Sequence, residues 1–146
     1  MRTFRWQVVV VIGLVIFTAG VTAQTVYTPE KGTPERKEIL DTLRAPVERE
    51  LKQKIVFAAD TFNVLGNWTF IYGTMQTPEG GQPDFSRTKY AQAQRDGFFD
   101  NNFQALLKKT AGKWSVVKYQ IGCTDVCYTE WWKQYRAPKA VFPYTD

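Results

Sequence analysis

The hydrophobic pattern changes period several times along the chain, and each change marks an element. Ile39, Leu40, Leu43, Val47 and Leu51 recur at steps of one, three or four, which is the stripe of an amphipathic helix. Thr33-Pro34-Glu35 supplies its start: a capping hydroxyl, a proline suited to the first helical position, and an acid at the positive helix end. Arg36, Lys37, Glu48, Arg49 and Lys52 fall mostly off the stripe and are expected to face water. The pattern predicts a helix over 34–52. Pro46 lies inside it and predicts a kink or a split near Arg44-Ala45.

From residue 54 the period shortens toward two. Ile55, Phe57 and Ala59 fit one strand face, whereas Phe62 and Val64 fit the other, so a bulge or strong bend near Asp60-Thr61 is needed to reconcile them. Gly66-Asn67 is a turn signal, and Trp68 to Gln76 predicts the return strand, giving a hairpin over 54–76. A second hairpin over 103–121 turns at Ala-Gly-Lys. Between them, 77–101 is a long excursion that opens on a Gly- and Pro-rich loop, with room for a short helix over Ser86 to Arg95. Gly122 ends the last strand, and Thr124-Asp125 predicts the cap of a final helix over 124–136. The lead-in from Gln24 to Gly32 is polar and extended, and Pro138 and Pro143 mark an irregular tail.

The order helix, hairpin, excursion, hairpin, helix predicts an α+β fold. A kinked N-terminal helix would pack on a curved four-stranded antiparallel sheet, with a C-terminal helix added. This layout resembles the cystatin-like and NTF2-like group. Local wording carries a second resemblance: Thr33-Pro-Glu-Arg-Lys37, Gly66-Asn-Trp-Thr-Phe70, Ala105-Leu-Leu-Lys108 with Trp114-Ser-Val-Val117, Thr124-Asp-Val126, Ala137-Pro138 and Phe142-Pro143. These stretches resemble small exported bacterial proteins of unknown function. The resemblance spans nearly all of the chain after residue 23 and implies a location and a fold, but no activity.

The first 23 residues change the charge and the compartment. Arg2 and Arg5 precede an apolar run from Val8 to Ala19, and Val21-Thr22-Ala23 offers the small residues that a signal peptidase reads. Residues 1–23 are therefore expected to be a secretory signal cleaved after Ala23, leaving one domain over 24–146. The rival is an uncleaved anchor, but Val8 to Ala23 is 16 residues, short of the roughly 20 of a spanning helix. No cysteine lies near the cleavage point, and no later segment is apolar enough to span a membrane. Removing residues 1–23 takes away Arg2 and Arg5 and no acid, so net charge falls from +5 to +3. The remaining basic residues are scattered, which argues against a nucleic-acid surface.

Composition narrows the chemistry. At 44% apolar and 15% aromatic the chain has a globular balance, and it contains no histidine. That removes Ser-His-Asp and Cys-His nucleophile systems and the usual zinc sites. Cys123 and Cys127, the only cysteines, are expected to be bridged in an oxidising compartment; free thiols, a redox pair and a metal site are the alternatives. Tyr128, Trp131, Trp132 and Tyr135 fall on one helical face. That face is expected to pack on the sheet. Its alternative use is an exposed platform for sugars or a partner protein, with Trp131, Trp132, Tyr135 and Tyr90 as the candidate surface.

Asp96-Gly-Phe-Phe-Asp100-Asn-Asn102 lacks the spacing of a calcium loop and is taken as a structural turn, with Phe98 and Phe99 pinning the excursion to the core. Asp60 would become a candidate acid or base if it pointed inward, with Tyr72 or Tyr119 beside it. The glycosylation pattern Asn67-Trp68-Thr69 is taken as a chance match. No catalytic residue, metal site or cofactor is assigned. The expectation is an exported, non-catalytic interaction module whose partner is a protein or a cell-envelope glycan. A carbohydrate binder and a small NTF2-like enzyme with a pocket carboxylate are the alternatives.

Overall fold

The computed structural model describes residues 24–145; the expected signal over 1–23 lies outside them. The fold is α+β. Helix α1 spans Pro34–Leu51, and strands β1 (Val56–Leu65), β2 (Trp68–Gln76), β3 (Asn102–Thr110) and β4 (Lys113–Ile121) form one antiparallel sheet in sequential order. Short helices α2 (Ala91–Arg95) and α3 (Trp131–Gln134) and a 3-10 turn at Lys139–Val141 complete it.

Helix α1 starts as its sequence predicts. The Thr33 hydroxyl accepts a hydrogen bond from the Arg36 amide at 3.4 Å, and Pro34 occupies the first turn. Pro46 lies inside the helix without dividing it. Ile39 and Leu43 before it, and Val47 and Leu51 after it, are all buried. Burying four such side chains is worth several kcal/mol, which exceeds the roughly 3 kcal/mol of an interior proline.

The sheet carries apolar side chains on both faces, and both are covered. On the inner face Phe57, Val64, Ile71, Met75, Phe103 and Leu107 meet α1 and the excursion. On the outer face Trp68, Phe70 and Leu106 meet the C-terminal segment through Tyr128, Trp131, Val141 and Phe142.

Register shifts in two places. Between Ala59 and Thr61 one extra residue, Asp60, enters β1, and this returns Phe62 and Val64 to the same face as Phe57. The second bulge is in β4, where Leu106 pairs with Lys118 but Leu107 pairs with Val116, leaving Val117 extra. Residue Tyr27 of the lead-in exchanges two backbone hydrogen bonds with Val64 on the free side of β1.

The C-terminal segment departs from the expected helix over 124–136. Only Trp131–Gln134 is helical within that span; the chain bends at 124–125 and turns over 127–130. The Asp125 carboxylate accepts from the Val126 amide at 2.7 Å, a local bond that competes with helix formation. The aromatic spacing is satisfied by successive turns whose rings pack on Phe70.

The excursion is pinned at several points. The Gln53 amide exchanges two hydrogen bonds with the Asp84 backbone, and Phe85 is fully buried. Phe99 packs on Phe85 and Tyr90, with ring centroids at 4.6 and 5.2 Å. Phe98, by contrast, is 73% exposed, so only one of the two expected anchors holds.

Candidate functional site

Side chains alternate along a strand, so Asn102, Gln104 and Leu106 project from one face of β3; Asp100 precedes the strand, where its carbonyl accepts from the Asn102 amide at 2.8 Å. Tyr72 of β2 pairs with Gln104, and Thr74 pairs with Asn102. The outer face therefore changes character along its length. Trp68, Phe70 and Leu106 lie under the C-terminal segment, Tyr72 packs at its border, and Asn102 and Gln104 are buried next to the 123–128 loop. That end of the face borders two adjoining clefts of about 490 and 440 Å³ that share Tyr72, Asp100 and Asn102. One is walled by the Gly80-Gly81-Gln82 tip of the excursion, the other by the Cys123–Val126 loop and Tyr128.

The loop is held in place from β3. The Asn102 side chain donates to the Cys123 carbonyl at 2.6 Å and accepts from the Cys123 amide at 3.0 Å. The Gly122 amide donates to the Asn102 carbonyl at 3.0 Å. Cys123 and Cys127 are bonded, with Cα atoms 6.3 Å apart, which closes the loop into a ring. A disulfide is compatible with an exported protein.

Gln104 forms part of the groove floor. It is 1% exposed, and its Oε1 has no hydrogen-bond partner in the protein. Asn101, at the rim, donates to the Met75 carbonyl at 2.8 Å while its own buried Oδ1 has no protein partner. Native interiors rarely leave such acceptors unmatched, because each costs about 1–3 kcal/mol. Asp100 and Asp125 are exposed at the edges of the groove, and among the described residues neither forms an ion pair. None of the residues lining either cleft is Lys or Arg.

A second polar cluster lies at the other side of the sheet, in a cleft of about 410 Å³. Glu50, near the end of α1, accepts hydrogen bonds from the hydroxyls of Tyr90 and Tyr119 and an ion pair from Lys89 at 2.9 Å. Burial works against the Glu50 charge, but the Tyr119, Tyr90 and Lys89 bonds outweigh it and hold the carboxyl below its usual range. Burial first, and then the Glu50 carboxylate, push the Tyr119 hydroxyl up to about 12 and raise Tyr90 further. Both Glu50 oxygens are already engaged. The cluster ties the helix, the excursion and β4 together.

The residues singled out in the sequence are distributed as follows. Trp131 is 4% exposed and sits against Phe70, with Trp132 and Tyr135 half-buried beside it. The ammonium groups of Lys133 and Lys139 lie 5.2 and 4.9 Å from the centre of the Trp132 ring. Tyr90 belongs to the inner layer, so it does not share a surface with those three. Asp60 is exposed in its bulge and does not point inward. Among the described residues no group of three His, Cys, Asp or Glu side chains is placed to hold a metal ion, and no helix is long and apolar enough to cross a membrane. Gln104, Asn101 and Asp125 were not legible as a site from sequence; the available signal was polar residues at outward positions of an otherwise apolar strand. No family model, curated protein or solved structure matches the chain.

Proposed function

We propose that the chain is an exported, non-catalytic interaction module of cystatin-like or NTF2-like layout. Residues 1–23 are its secretory signal, and the groove on the outer sheet face engages a protein or a cell-envelope glycan. The observation that carries this reading is Gln104: an amide with an unmatched oxygen, buried in the floor of a groove that the rest of the fold takes care to build. Polar groups of this kind, few and convergent in a concave site, are what a binding surface offers. Support for a non-catalytic role comes from Glu50, the carboxyl most enclosed by tyrosines, whose oxygens are both taken by structural partners. The disulfide and the stretch over 1–23 support export.

The test is amide hydrogen exchange on the purified protein, with and without concentrated cell-envelope extract. The reading expects added protection in segments 100–104 and 122–128, with α1 unchanged. Protection confined to other surfaces, or none at all, would overturn it. Digesting the extract with a protease beforehand separates the two partner classes: protection that survives belongs to glycan. Sequencing the N-terminus of the protein recovered outside the cytoplasm tests the signal, and a start at Gln24 is expected.

A further inference from the structure

We infer that the groove is a receptor for a cationic, donor-rich group, a primary ammonium or a guanidinium, carried by a peptide side chain or by a small amine. The inference rests on the groove being a binding site, and it adds the chemistry of what fills it. The buried side-chain atoms without a protein partner in the lining share one character, beside hydroxyls and amides that can donate or accept. The Gln104 and Asn101 amide oxygens lack protein partners, and both are acceptors. Asp100 and Asp125 add carboxylates at the edges, without an ion pair to any described residue.

The groove also stands apart from the charge of the chain. After residue 23 the chain carries more Lys and Arg than Asp and Glu, yet none of the basic residues lines either cleft. A ligand that only accepts hydrogen bonds, such as a phosphate or a carboxylate, would leave these oxygens unmatched and face two like charges. A cation bearing several N–H groups satisfies both conditions. The half-buried Tyr72 ring bordering the same cleft supplies an aromatic surface against which an alkyl stem or a guanidinium can lie.

The experiment is a titration of isotope-labelled protein, followed by NMR of the backbone and side-chain amides. The probes are N-acetyl-arginine amide, N-acetyl-lysine amide, spermidine and the neutral sugar N,N′-diacetylchitobiose. The expected result is saturable shifts at Asn101, Gln104 and the 122–128 loop with the cationic probes only, weakening several-fold between low and physiological salt. Asp100→Asn and Asp125→Asn are each expected to weaken binding about tenfold, as loss of a charged hydrogen bond does. Gln104→Met is expected to weaken it while leaving the fold intact, which the unchanged amide spectrum of α1 would verify.

A gain in affinity on embedding the arginine or lysine in a tripeptide assigns the peptide source, and equal affinity with spermidine assigns the small amine. Two results overturn the inference: shifts with the neutral sugar that match or exceed those with the cations, or no saturation with any cationic probe up to about 10 mM, where affinity would fall below roughly 3 kcal/mol. Either could occur while the envelope extract still protects the groove, so the two readings fail separately.

Discussion

Asn102 and Gln104 are neighbours on one stripe of β3, both amides and both buried, yet they should respond to mutation with opposite signs. Asn102 satisfies the amide and the carbonyl of Cys123 at 3.0 and 2.6 Å. Truncating it to alanine strands both backbone groups in a buried position, at about 1–3 kcal/mol each. We therefore expect Asn102→Ala to destabilise the protein by about 3 kcal/mol. The Oε1 of Gln104 has no protein partner, so Gln104→Met removes an uncompensated polar atom and keeps nearly the same shape. The expected gain is about 1 kcal/mol, or a rise in Tm of about 3–5 °C for a domain of this size. The assay is thermal and urea unfolding of both variants against the parent protein at neutral pH. If Gln104→Met melts lower than the parent, the Gln104 amide is making a bond that stabilises the fold. The case for Gln104 as a group held in reserve for a ligand would then be lost.

Three further outcomes follow from other parts of the fold. Gly122 has a φ of +80°, and a Cβ there would come within 2.0 Å of the Phe99 ring; Gly122→Ala is expected to cost more than about 2 kcal/mol and to loosen the excursion, read as faster amide exchange around Phe85 and Phe99. Tyr119 stays protonated to about pH 12 in the fold against 10.0 when free, so its contribution is intact below pH 10 and drains away as pH rises toward 12; urea midpoints between pH 9 and 12 should fall less steeply for Tyr119→Phe than for the parent. Ala111 adopts a φ of 50° ahead of Gly112 at 78° in the turn from Thr110 to Lys113, and Ala111→Asn should gain about 0.5–1 kcal/mol in chemical denaturation, because asparagine tolerates that conformation better.

Much of the frame was legible in the sequence because it depends on local periodicity. The stripe from Ile39 to Leu51, the cap at Thr33 and the two hairpins needed nothing beyond neighbouring residues. Even the Asp60 bulge was forced, since Phe57 and Phe62 belong to one core only if an extra residue sits between them. The C-terminal segment was harder: Tyr128, Trp131 and Tyr135 have helical spacing, but rings this large gain more from packing on Phe70 than from a continuous helix. The groove was harder still. Gln104 becomes informative only once its register opposite Tyr72 is known and the 123–128 loop is seen to lie beside it. Those are long-range relations, and no window of the chain contains them.

The two bulges also fall on the two outermost strands, Asp60 in β1 and Val117 in β4, and the Tyr27 segment takes up hydrogen bonds beside the first. An unpaired strand with a regular row of amides and carbonyls invites a further strand from another molecule, and an irregularity in that row discourages it. Both borders of this sheet therefore carry a feature that discourages growth. The irregular rows disfavour fibrous self-assembly and strand addition alike, and leave the faces as the more open approach for a visiting molecule.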